Sequence, residues 1–227
     1  VRELKFRAQV QTLSFATDTE QLEASLTAIA EAAIDSVLGL ARADMVRRYG
    51  EIDAEISIVA LGRLGVKQLT AGSDLDLLII YDAALDVFSN GERKLPAASY
   101  VLRLAQTMIS WISKPTAEGT LYDVDLRLRP EGQAGAVATS IDRLATYFDR
   151  DAWIWEKQAL TKARPIAGDA SLSNKIQQLI NSNVNHNHPK DSLVKAISDM
   201  RQRIQKRQKP ASQWHLKQIA GGLTDID

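Results

Sequence analysis

Apolar residues recur at three- and four-residue intervals through residues 1–49, without a proline, and Thr19 and Glu23 are placed to open a second helix. This spacing predicts one or two N-terminal helices. The pattern changes at Gly50. Residues 55–61 read as a short strand and residues 73–81 as a second one rich in leucine and isoleucine. Residues 63–70 between them have room for only about two helical turns, which gives strand, short helix, strand. Residues 86–92 carry loop chemistry, and residues 97–112 form an amphipathic helix that must end before Pro115. A third strand is expected over 121–128, closed by Pro130. Helices follow at 141–148, 152–163, 171–181 and 192–208, with an exposed loop at 181–189, so the tail is expected to be mostly helical. No internal repeat interrupts this order.

Composition narrows the picture. The chain has 227 residues, 45% of them hydrophobic, enough to bury a core without covalent staples. There is no cysteine, which removes disulfides and thiolate metal sites and favours a reducing, cytoplasmic setting. Lys plus Arg and Asp plus Glu both number 28, so no global field favours nucleic acid or an anionic membrane. The longest uninterrupted apolar run, residues 77–81, is too short to span a bilayer, and a soluble protein is expected. A start at Val1 without an initiator methionine, and an end at Asp227 without a cap, read as an excised piece of a longer chain.

The chemistry concentrates in three places. Residues two apart on a strand share a face, so Asp74 and Asp76 place two carboxylates side by side after Gly72 and Ser73. Their flanks offer no basic neighbour, and hard oxygen ligands beside a glycine turn suit Mg2+ or Mn2+. A turn aspartate followed by an exposed strand start is the plainer alternative. Upstream, Gly62 and Gly65 flank the entry to the short helix, where free backbone N–H groups favour phosphate, with Arg63 and Lys67 close by. On the third predicted strand Tyr122, Val124, Leu126 and Leu128 alternate with Asp123, Asp125, Arg127 and Arg129. A half-exposed strand alternates in this way too, but acids gathered at one end and arginines at the other suit a metal ligand beside a phosphate clamp. Trp153 and Trp155 cannot share a helical face, so at least one is expected in the core. Glu156, Lys157, Lys162 and Arg164 read as a solvated helix face, as does the basic run 201–209; His186, His188 and His215 lack supporting ligands.

Three segments together resemble one enzyme family: ALGRLGVKQLTAGSDLDLLIIYD at 60–82, LYDVDLRLRPEGQAG at 121–135 and AWIWEKQALTKARPIAGD at 152–169. The order is similar to that of the bacterial glutamine synthetase adenylyltransferases, two-headed enzymes that attach AMP to glutamine synthetase and remove it. KQIAGGLTDID at 217–227 looks like that family's lead into its helical region, whereas Val66 stands where the family usually has a second glycine. The versions SDLDLLIIYD, GERKL, YVLRLAQ and LYDVDLRLRP resemble the AMP-attaching half.

The resemblance implies an α+β, DNA polymerase beta-like nucleotidyltransferase fold with a small mixed sheet. N-terminal helices would occupy 1–50, the nucleotidyltransferase domain 51–169 and the start of a helical domain 170–227. It implies transfer of AMP from ATP to a tyrosine of glutamine synthetase, with Asp74, Asp76 and Asp125 as metal ligands and catalytic groups. Gly62, Arg63, Gly72, Ser73, Arg127 and Arg129 would serve the nucleotide. Glutamine and the PII signal protein would regulate the whole enzyme, and neither nucleic acid nor membrane would be a partner. Phosphorolytic AMP removal, a non-catalytic module that binds nucleotide or a signal protein, and a nucleic-acid polymerase are the competing readings. Intact carboxylates count against the module, and neutral charge counts against the polymerase.

Overall fold

The computed structural model describes residues 1–14, 16–117, 119–185 and 190–207, together with Leu216, Ile219, Gly221 and Gly222. His186, His188 and His215, and most of 217–227, lie outside the described residues.

Two helices open the chain, α1 (Arg2–Leu13) and α2 (Thr19–Tyr49). The cap of α2 is Asp18 rather than Thr19, its carboxylate accepting the Gln21 N–H at 2.8 Å. By length and composition alone α2 is apolar enough to cross a membrane. Its apolar stripe is instead spent on the core: Leu26, Ala30, Ile34, Val37, Leu38, Ala41 and Met45 follow helical spacing and are all buried. Gly50, at φ 78°, ends the helix and turns the chain into the sheet.

The sheet is small and mixed, as the family resemblance implies. Strand β1 (Glu55–Ala60) pairs antiparallel with β2 (Leu75–Asp82) across the one-turn helix α3 (Gly62–Gly65). After α4 (Ala97–Ser113), two short strands run parallel to β2: β3 (Val124–Asp125) beside its start and β4 (Ala138–Ser140) beside its end. Helices α5 (Ile141–Arg150) and α6 (Ile154–Ala159) follow, and β5 (Arg164–Gly168) then returns antiparallel to the free side of β1. Helices α7 (Ala170–Val184) and α8 (Lys190–Arg207) come last.

Both faces of β1 and β2 are covered. Ile56, Ile58, Ala60, Leu75, Leu77 and Ile79 pack with residues of α2 and α4, whereas Val59, Leu61, Leu78 and Ile80 pack with residues of α5 and α7. A strand buried on both sides needs no polar alternation, which is why β2 reads as a continuous apolar run.

The structure corrects several expectations. The helix after β1 has one turn, not two. The third strand is reduced to two residues, because Tyr122 donates its N–H to Ile112 rather than to a strand, and a turn begins where Arg129 donates to the Leu126 carbonyl at 3.2 Å. The region 138–168 holds two strands, β4 and β5, that helical spacing concealed. Residues 152–163 split into a cap, α6 and a 3-10 turn. Neither tryptophan is core: Trp153 is 59% exposed with the Arg203 guanidinium 5.7 Å over its ring, and Trp155 is only half-buried.

Glu156 reverses expectation most sharply. It is buried, and it accepts the Tyr147 hydroxyl at 2.7 Å and the Trp153 N–H at 2.8 Å, tying α5 to the start of α6. Desolvation and the Glu156 carboxylate together push the Tyr147 phenol well above its ordinary value.

Candidate active site

The site is built where β1 ends and β2 begins. Leu61 donates its N–H to the Asp76 carbonyl at 2.9 Å, holding the end of β1 against the start of β2. The chain must then reverse at once. Gly62 does so at φ 54°, and a methyl group placed on its Cα would lie 2.5 Å from Asp76 Oδ2. Glycine is required there by backbone conformation and by the carboxylate packed against it. Gly65 closes the turn against the Lys162 carbonyl, another approach that a side chain would block.

Arg164, read from sequence as part of a solvated face, locks this turn from behind. Its guanidinium donates to the carbonyls of Gly65 at 3.1 Å and Leu64 at 3.3 Å, and to Glu31 of α2 at 2.5 Å. Positions 31 and 164 are joined only by folding, and neither segment alone signals the partner.

The loop between α3 and β2 is held by its own side chains. Arg63 donates to the Thr70 hydroxyl at 3.2 Å, the hydroxyls of Thr70 and Ser73 lie 2.7 Å apart, and the Thr70 N–H reaches Ser73 Oγ at 3.2 Å. Gly72 is exposed, with open space where a side chain would project. The mesh sets the entry of the chain to Asp74.

Asp76 lies in β2, and Asp74 stands one residue before it. Parallel pairing puts Leu75 beside Val124 and Asp76 beside Asp125. Neighbouring strands lie about 4.8 Å apart, so Asp76 and Asp125 are lateral neighbours. Asp74, Asp123, Asp125, Arg127 and Arg129 line one open cleft of about 450 Å³ at this edge. Asp74 and Asp125 line the cleft, whereas Asp76 is tied to this edge by its pairing with Asp125 and is not among the lining residues.

Their counter-charge is local. Asp125 accepts the Arg127 backbone N–H at 2.8 Å and its Nε–H at 2.7 Å, and Arg127 Nη2 also donates to the same carboxylate. The Arg127 side-chain hydrogen bond outweighs partial burial and holds the Asp125 carboxyl below the ordinary carboxylate value. Asp125 reciprocates by holding the guanidinium charged, with smaller contributions from Asp76 and Asp74. Arg129 is committed to the loop, donating to the carbonyls of Gly135 and Leu126, each at 3.0 Å.

The donor chemistry suits a hard divalent cation, since the side chains here are carboxylates without sulfur or imidazole. In the arrangement seen, Arg127 supplies the positive group at Asp125, and among the described residues no three acidic or imidazole side chains converge closely enough to hold a metal ion. The cleft is thus lined by both carboxylates and guanidinium groups.

Comparison with known proteins identifies the family. Residues 2–179 match the family described as GlnE, glutamate-ammonia ligase adenylyltransferase. Proteins named bifunctional glutamine synthetase adenylyltransferase/adenylyl-removing enzyme are similar along the whole chain. That of Bradyrhizobium sp. (strain BTAi1 / ATCC BAA-1182) is 37% identical over 228 residues, covering 100% of this chain and 23% of the relative. That of Brucella suis biovar 1 (strain 1330) is 37% identical over 227 residues, covering 99% of the chain and 23% of the relative. That of Rhodopseudomonas palustris (strain TIE-1) is 38% identical over 230 residues, with 100% and 23% covered. The chain spans about a quarter of the length of these relatives. With the family matched over most of its residues and an acidic corner placed at the end of a glycine turn, the chain belongs to the glutamate-ammonia ligase adenylyltransferase family.

Proposed function

We propose that this chain is the AMP-attaching nucleotidyltransferase unit of its family, with a DNA polymerase beta-like fold, acting on a tyrosine of glutamine synthetase with ATP as donor. The observation that carries the reading is the parallel register of β2 and β3, which sets Asp125 beside Asp76, two residues after Asp74. A cytoplasmic setting, and control of the whole enzyme by glutamine and the PII signal protein, belong to the same proposal.

Asp74, Asp76 and Asp125 would hold the divalent cation. When bound, Mg2+ or Mn2+ would neutralise the triphosphate and polarise the α-phosphorus for attack. Asp125, ionised at neutral pH, would accept the tyrosine hydroxyl proton as the phenolic oxygen bonds to the α-phosphorus. The bond to the β-phosphate oxygen breaks, and pyrophosphate leaves with the electron pair. Arg127 and Arg129 line the same cleft and would meet its phosphate oxygens. Gly62 would allow the backbone to approach the phosphates, and Arg63, Gly72 and Ser73 shape the loop that leads to the acids.

The test is incubation with labelled ATP, Mg2+ and unmodified glutamine synthetase, followed by mass spectrometry of the target. Asp74→Asn, Asp76→Asn and Asp125→Asn should each cost about a hundredfold or more in single-turnover AMP transfer. Asp123→Asn should cost far less, since the Asp123 carbonyl, which accepts the Leu75 N–H at 2.9 Å, is unchanged by the substitution. Transfer that survives in the Asp74 and Asp76 variants would sink the assignment. Efficient phosphorolysis of modified target without forward transfer would reassign the chain to the AMP-removing activity, and nucleotide binding with neither reaction would make it a sensing module.

A further inference from the structure

Asp125 takes three hydrogen bonds from one residue two positions away. Oδ1 takes the Arg127 backbone N–H at 2.8 Å; Oδ2 takes its Nε–H at 2.7 Å and Nη2 as well. The two partners differ in their access to water: the Asp125 side chain is 13% exposed and that of Arg127 is 67% exposed. The guanidinium can therefore return to solvent at little cost, whereas the carboxylate, left alone, would be a poorly hydrated charge beside Asp76. An arrangement of this kind favours exchange of one cation for another over simple loss of the pair.

We infer that Arg127 is an internal cation that occupies the Asp125 seat until a divalent cation displaces it, so that metal entry and release of the Arg127 guanidinium are one exchange. This rests on the metal-dependent reading of the three acids. Arg129 is placed differently, with Nε and Nη1 donating to the carbonyls of Gly135 and Leu126 rather than to Asp125. It nevertheless lies in the same cleft and contributes to the field at Asp125, which makes it the control for charge without contact. Once displaced, Arg127 is left on the open side of the cleft, where phosphate oxygens are its natural partners. The latch would keep the acidic corner neutralised between turnovers and make the guanidinium available to phosphate only when metal has arrived.

The experiment measures Mn2+ affinity directly, by electron paramagnetic resonance of free Mn2+, with folding checked by circular dichroism. Wild type is compared with Arg127→Gln, Arg129→Gln, Asp125→Asn, the Asp125→Asn/Arg127→Gln double variant and the Asp74→Asn/Asp76→Asn/Asp125→Asn triple variant. A pair with one exposed partner, worth about 1 kcal/mol, corresponds to a factor of about five in binding. Arg127→Gln should therefore bind Mn2+ about fivefold more tightly than wild type, Arg129→Gln should gain clearly less, and the gain should vanish in the double variant. Equal gains from Arg127→Gln and Arg129→Gln, no gain from Arg127→Gln, or a gain that survives without Asp125 would each overturn the latch. In those three cases weakened binding by Asp125→Asn alone would leave the metal site standing. Wild-type affinity no better than that of the triple variant would remove the metal site and the latch with it.

Discussion

Gly62 carries two constraints on one atom position. Its φ of 54° disfavours any side chain, and the space a Cβ needs is already held by Asp76 Oδ2 at 2.5 Å. In Gly62→Ala either the backbone takes strain of about 1–2 kcal/mol or the Asp76 carboxylate moves. We expect AMP transfer to fall by about tenfold to a hundredfold through misplacement of that carboxylate, measured in single turnover, with a modest drop in the urea midpoint. Gly72→Ala is the contrast for stability: nothing lies within 4 Å of the added methyl and φ is ordinary, so the midpoint should shift by under about 0.5 kcal/mol. In sequence both are simply glycines near a turn. Their difference comes from Asp76, fourteen positions after Gly62, and from the strand pairing that brings it back.

At the scale of elements, Asp169 stitches three of them together. Just beyond β5, its carboxylate accepts the Ile56 N–H at 2.7 Å from β1 and the Arg42 guanidinium at 2.5 Å from α2. Burial pushes this carboxyl up, but the Arg42 and Ile56 hydrogen bonds together hold it below its ordinary value of 3.8. A depressed folded-state value means stability that is fully present above the unfolded carboxylate value and lost as pH falls through the folded one. The stability difference between wild type and Asp169→Asn should therefore be constant above about pH 5 and shrink below the ordinary carboxylate value, as read from urea midpoints between pH 2.5 and pH 7. A difference that is flat with pH would show that the carboxylate charge is not what joins these elements. Glu156 makes a similar joint between α5 and α6, with two donors facing one buried carboxylate. Glu156→Ala removes the acceptor of both groups and should cost about 1–3 kcal/mol of unfolding free energy. Its helical neighbours made Glu156 look solvated in sequence, because burial there is imposed by Tyr147 from the preceding helix.

Across the whole molecule, β1 and β2 serve two cores at once. Leu104 of α4 belongs to the core on one face and Leu172 of α7 to that on the other, and both are fully buried. Leu104→Ala and Leu172→Ala should each lower stability by about 2–5 kcal/mol and shift the same single unfolding transition, seen by circular dichroism and tryptophan fluorescence together. Separate transitions would mean that the faces unfold independently despite their shared strands. The chain by itself determined the long helices, the strand–turn–strand core and the residues of the acidic corner. Each of these is written in local periodicity or in a short motif, and local backbone preferences are enough to express it. Only the tertiary structure decided that the third strand would be two residues long, that β4 and β5 would exist at all, that Glu156 would be buried and that Arg164 would reach Glu31. These features depend on partners far away in sequence. Short edge strands form when a neighbour offers hydrogen bonds, and a charged side chain is buried only where folding brings it a donor. The same reason separates the two levels at the site: sequence names Asp74, Asp76, Asp125 and Arg127, whereas the pairing of β2 with β3 decides that Asp76 and Asp125 are neighbours.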